Sequence, residues 1–135
     1  MDSKDYYHAS LYILAYLVAF SVLNLIFSFF SSGYSYAAED SFVKILTSLF
    51  FIVLGAFAVY KLFYKSKLGF YSGFAYHGLQ IVLIIVYFFT NFFNDYGSMM
   101  LDSSMLIWFI GKDITALILS VLLLFALWKA KPELN

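Results

Sequence analysis

Four predominantly apolar runs, each more than twenty residues long, occupy most of this 135-residue chain. The hydrocarbon core of a bilayer is about 30 Å thick, and a helix crosses it with about 20 apolar residues. The runs cover approximately residues 9–30, 42–64, 70–93 and 105–128. A soluble domain of this length has too little interior to hide them. Composition agrees: 64% of the residues are hydrophobic and 12% charged, where soluble domains average about 45–50% and about 25%. The sequence therefore predicts an all-α integral membrane protein, a single domain over residues 1–135 with four transmembrane helices in one bundle. A transmembrane β-barrel is excluded, because its strands alternate polar and apolar residues over short segments. Helices also satisfy their own backbone hydrogen bonds, which lipid cannot do.

The breaks between the runs carry turn and charge signals. Ser31-Ser32-Gly33 opens the first and Glu39-Asp40 closes it, and Lys65-Ser66-Lys67 with Gly69 forms the second. Asn94-Asp95-Tyr96-Gly97-Ser98 and Asp102-Ser103-Ser104 form the third, and Pro132 lies just past the fourth run. The first run is too long for the apolar segment of a cleaved signal peptide, and Asp2 and Asp5 dilute the positive charge such a peptide carries ahead of it. It is read as a span.

Lysine supplies every basic side chain other than histidine. Lys4, Lys61, Lys65, Lys67, Lys129 and Lys131 fall at one end of the helices, with only Lys44 and Lys112 at the other. The positive-inside rule places both termini and the second break in the cytoplasm. Tyr6, Tyr7, Tyr60, Tyr64, Tyr71 and Trp128 form an inner aromatic belt, and Tyr34, Tyr36, Tyr96 and Trp108 an outer one. Lysine without arginine points further to an AT-rich coding sequence, hence to a multi-pass protein of a bacterial inner (plasma) membrane. Tyr64-Lys65-Ser66-Lys67 and Trp128-Lys129-Ala130-Lys131 close the second and fourth runs alike. The aromatic and lysine rules explain this without an internal repeat.

Polar side chains inside the runs are the places where chemistry can reside, because hydrocarbon makes them expensive. At 100° per residue, Gly73, Tyr76, His77, Gln80, Ile84, Tyr87 and Asn91 share one arc of the third run, opposite Leu79, Ile81, Val82, Leu83, Ile85 and Phe89. This polar seam is either interhelical packing and hydrogen bonding or a hydrated path with His77 as proton carrier. The absence of a fixed charge at the membrane centre favours packing. Ser10, Ser21, Asn24 and Ser28 form a weaker seam on the first run, with Asn24 near the middle of the bilayer. Asp113 shares a face with Ala116 and Ser120, while Lys112 points about 100° away and snorkels. Asp113 either binds a cation or proton, or caps a fourth helix that starts at Gly111, leaving residues 99–110 as an interfacial segment. Capping is the favoured reading. The candidate seam or substrate path is thus Asn24, His77, Gln80, Asn91 and Asp113.

Nothing in the sequence assembles a catalytic centre. Cysteine is absent and His8 and His77 are the only histidines, so zinc ligation and bis-histidine haem are unsupported. No serine has a histidine and an acid placed for a triad. Zero net charge without arginine is unsuited to nucleic acid. We expect no enzyme activity, no cofactor and no metal. The expected function is that of a non-catalytic accessory or interaction subunit. Its partners are the lipid bilayer and other membrane proteins or further copies of the chain. The alternative is a small-solute or ion transporter or channel built on the third-helix seam.

Because the chain lacks cysteine, single cysteines report topology cleanly. Asp40→Cys is expected to react with an impermeant thiol reagent in intact cells, and Lys67→Cys only after permeabilisation. The reverse pattern inverts the orientation.

Overall fold

The computed structural model describes residues 2–31, 38–91 and 103–135. Helix α1 spans Ser3–Ser31, α2 Ala38–Phe63, α3 Lys67–Asn91 and α4 Ser103–Ala130, and a short 3-10 turn, Lys131–Glu133, follows α4. No strand occurs among the described residues. All four helices are long and apolar enough to cross a membrane, and only 11–17% of each apolar window is buried inside the protein. The remaining apolar surface has to meet something other than water.

The helices begin and end where capping chemistry is available. Asp2 and Asp5 exchange backbone bonds at the head of α1: Asp5 N–H donates to the Asp2 carboxylate at 3.1 Å, and Asp2 N–H to the Asp5 carboxylate at 3.2 Å. This reciprocal box starts the helix at Ser3, well ahead of its apolar run. Helix α2 ends in a left-handed residue, Lys65 (φ 55°). Ser66 N–H donates to the Lys61 carbonyl and Lys65 N–H to the Leu62 carbonyl, both at 2.9 Å. This is the Schellman arrangement, usually built on glycine. Ser66 then caps α3, its hydroxyl accepting from Leu68 N–H at 3.2 Å.

Three sequence expectations are corrected here. Gly69 is no turn residue; it lies buried in the first turn of α3. Tyr7 is no belt residue; it is buried, and its hydroxyl donates to the Leu62 carbonyl at 2.7 Å. Helix α4 begins at Ser103, so Gly111 and Asp113 are interior to it and Asp113 is no first-turn cap. Residues 99–102 lie outside the described part, as do Tyr34, Tyr36 and Tyr96 of the outer belt and the side chain of Trp108.

The described residues fall into two compact units. The first runs to Tyr76 and takes in Ala126–Asn135, and the second is His77–Phe125. The core of the first unit is a set of stripes at helical spacing: Tyr7, Leu11 and Leu14 on α1, Phe51, Ala58 and Leu62 on α2, Phe70 and Tyr76 on α3, Leu127 and Ala130 on α4. Leu14, Leu62 and Leu127 are its largest fully buried side chains. Phe51 meets Tyr76 edge to face at 5.6 Å. Gly55 lets α1 and α2 close up, since a Cβ there would lie 2.5 Å from Val18 Cγ2.

The chain beyond α4 is tied into this unit. Leu134 is buried, Asn135 N–H donates to the Lys65 carbonyl at 2.7 Å, and Lys67 N–H donates to the Asn135 carbonyl oxygen at 2.9 Å. The Ser3 hydroxyl donates to Glu133, and the Lys131 ammonium lies 5.3 Å from the Phe70 and Trp128 rings. The lookalike ends of the second and fourth runs therefore fold differently: Ser66 is a non-helical cap, whereas Ala130 is a buried helical residue.

A Cβ on Gly69 would stand 2.5 Å from Leu62 N and 2.8 Å from Lys61 C, backbone atoms that cannot swing away, whereas Gly78 has open space. Gly69→Ala is expected to cost about 1–3 kcal/mol and Gly78→Ala to be neutral or stabilising by up to about 1 kcal/mol. Parallel denaturation curves in detergent check both; equal behaviour of the two variants contradicts the close approach.

Candidate functional site

Helix α3 carries the polar seam, and its burial is graded along the helix. Gly73, Tyr76 and His77 are buried, Gln80 and Ile84 half-buried, and Tyr87 is 52% exposed. On the opposite side Leu79, Val82, Ile85 and Phe89 are exposed, with Ile81 and Leu83 half-buried. The stripe therefore packs at its lysine-rich end and opens toward the other. Asn91 closes α3, and its side chain lies outside the described residues.

The α1 seam is graded the same way. Ser10 is buried, Ser21 half-buried and Asn24 exposed, while the Ser28 side chain lies outside the described residues. Helix α1 starts at Ser3, so its midpoint is Leu17 and Asn24 stands seven residues, about 10 Å, beyond it. Asn24 therefore lies in the C-terminal half of α1. There Leu23, Asn24, Ile26 and Phe27 line a shallow depression of about 340 Å³.

Hydroxyls in the helices mostly bond their own backbone. Ser21 donates to the Leu17 carbonyl at 2.8 Å, Thr47 to Val43 at 2.8 Å, Ser72 to Leu68 at 2.6 Å and Thr115 to Gly111 at 2.7 Å. A hydroxyl bonded four residues back can face lipid without an unmet donor. Ser10 differs: its oxygen is buried and has no hydrogen-bond partner.

On α4, Asp113, Ala116 and Ser120 are all half-buried, and Lys112, Ile114, Thr115, Ile118 and Leu119 are exposed. The shared face of Asp113, Ala116 and Ser120 is therefore the more covered side of the helix. Asn24 belongs to the first compact unit, and His77, Gln80 and Asp113 to the second. The five candidate residues are thus not members of one unit. Among the described residues, no group of three or more histidines and acids is placed to hold a metal ion. An imidazole, an amide and a carboxylate on two helices can donate and accept hydrogen bonds.

Sequence reasoning missed Tyr7 as a structural tie. The signal was present, since Tyr7, Leu11 and Leu14 are spaced four and three apart on one helical face. Comparison with protein-family models, with characterised proteins and with solved structures finds no match for this chain.

Glutamine shares the ability of His77 to donate and accept a hydrogen bond, but it cannot change charge. With His77 as a packing residue, His77→Gln is expected to lose about 0.6 kcal/mol of stability in detergent and to leave liposomes under a pH gradient unchanged. A proton-coupled flux carried by the native chain and abolished by His77→Gln would show that the seam is a path.

Proposed function

We propose that this chain is a multi-pass protein of a bacterial plasma membrane, with both termini and the turn around Lys65 in the cytoplasm. It acts as a non-catalytic accessory or interaction subunit through helix contacts. The apolar surface left uncovered on the C-terminal half of α1 carries this reading: Leu23, Ile26 and Phe27 are exposed and line a shallow depression. An exposed apolar depression on a membrane helix suits packing against a neighbouring helix. The contrast with the lysine-rich end supports the same view. There the helices fill their interior with Leu14, Leu62 and Leu127, while on α1 Leu23, Ile26 and Phe27 stay exposed.

The half-burial of Gln80 and Asp113 is the observation that favours the competing reading, a small-solute or ion transporter or channel. Photocrosslinking separates the two. A crosslinking residue at the exposed position of Leu23 is expected to trap a protein adduct in native membranes. Phe27→Ala, which removes the largest side chain lining the depression, is expected to weaken that capture. No adduct, together with solute- or ion-dependent flux in liposomes, supports transport instead.

A further inference from the structure

The first compact unit contains a groove of about 460 Å³ between α1 and α2. The small side chains Ala15, Ala19 and Ala56 hollow it, and Tyr60, Phe63 and Tyr64 wall the end nearest the Lys65 turn. Its lining is apolar apart from the two tyrosine hydroxyls. The groove lies on the surface that the protein leaves uncovered: Tyr60, Phe63 and Tyr64 are each more than half exposed. Along α2 the lining runs from Ala56 to Tyr64, eight residues or about 12 Å of helix. One leaflet of hydrocarbon is about 15 Å deep, so the groove seats most of the length of a single acyl chain.

The walled end of the groove is basic. Lys4 and His8 continue the Ala15–Ala19 stripe of α1, eleven and seven positions before Ala15, which returns them to within about 20° of the same face. The His8 ring stacks on Tyr12 at 6.1 Å, and its Nδ1 lies 2.8 Å from the Lys4 carbonyl oxygen, which holds the two residues in one turn. From the α2 side comes Lys65, which directly follows the wall residue Tyr64. Its left-handed backbone and its ammonium, 5.4 Å from the Tyr7 ring, turn it toward α1. Lys4 and Lys65 are both exposed. The acids of this end are bound into the framework: Asp2 and Asp5 accept backbone N–H groups at the start of α1, and Glu133 accepts the Ser3 hydroxyl. An apolar trough with an aromatic wall and two ammonium groups at its mouth complements a lipid with a negative head.

We propose that this groove binds an anionic phospholipid of the leaflet at the lysine-rich end. One acyl chain lies along Ala15, Ala19 and Ala56, and the headgroup phosphate sits between Lys4 and Lys65. Tyr60 and Tyr64 stand at the boundary, where an aromatic body meets hydrocarbon and a hydroxyl meets the headgroup. The charge selects the headgroup and the trough fixes the site, so binding discriminates by lipid charge rather than by chain chemistry. A second copy of this chain or a partner helix would use the trough without needing the two lysines.

Native mass spectrometry of the whole chain in detergent tests this, with phosphatidylglycerol and phosphatidylcholine of identical chains as probes. Phosphatidylglycerol is expected to stay bound and phosphatidylcholine to be lost. Lys65→Asn suits the left-handed backbone while removing the charge, and Lys4→Gln keeps a good helix former. Each is expected to reduce the preference about fivefold, and the pair to abolish it. Ala19→Phe fills the trough and is expected to lower occupancy by phosphatidylglycerol with the lysines intact. Lys112→Ala, on the second unit, is expected to change nothing. Melting curves identify any variant that fails to fold, and Lys4→Arg, which keeps the charge, is expected to retain the preference. Equal binding of the two lipids, or a preference that survives the double substitution, overturns the proposal. So does a dimer mass that Ala19→Phe dissociates without any lipid adduct.

Discussion

The lysine-rich end depends on one close approach, the passage of the Gly69 backbone against Lys61 and Leu62. It is possible because Lys65 adopts a left-handed conformation and because residue 69 has no Cβ. For a non-glycine residue that conformation costs of order 1 kcal/mol and persists only where surrounding contacts hold it. Here those contacts are numerous. The Schellman bonds close α2, Ser66 caps α3, and the Lys65 carbonyl accepts the N–H of Asn135. The same turn presents the Leu62 carbonyl to the Tyr7 hydroxyl. One tight reversal thereby joins α1, α2, α3 and the segment after α4. Each bond is modest, but in an apolar setting an unmade one is costly.

Polar groups in this protein follow two regimes. At the packed end they are consumed by structure: Tyr7 ties helices, Asp2 and Asp5 cap, and Lys131 lies over Phe70 and Trp128. Farther along the helices the hydroxyls of Ser21, Thr47 and Thr115 turn back onto their own carbonyls. That choice lets a helix meet lipid, and it argues against reading each serine or threonine as part of a water path. Outside both regimes stands the buried Ser10 oxygen, which has no hydrogen-bond partner.

Much of this was legible in the sequence. The four helices, their approximate spans and the gathering of Lys4, Lys61, Lys65, Lys67, Lys129 and Lys131 at one end follow from run length and charge placement alone, because a chain in hydrocarbon must close its backbone bonds within each segment. The inner half of the third-helix stripe, Gly73 through His77, was also readable, since a 3.6-residue period sorts side chains onto faces before any partner is known. Periodicity assigns a face but not what covers it. It therefore ran the stripe on to Tyr87, which is exposed.

Tertiary structure decided the rest. Gly111 and Asp113 read as a helix start, yet α4 passes through them, because local capping preference is worth too little to break a helix that hydrocarbon favours throughout. Gly69 read as a turn glycine, and only the proximity of Leu62 shows that it serves packing. Tyr7 counted as one more belt aromatic until a carbonyl fifty-five residues away was found beside its hydroxyl. Run length and charge are properties of single segments, so the sequence by itself determined the helices and their basic end. Close approach, cross-helix hydrogen bonds and the α1–α2 groove depend on residues far apart in the chain, and no local pattern encodes which distant backbone atom a side chain will meet.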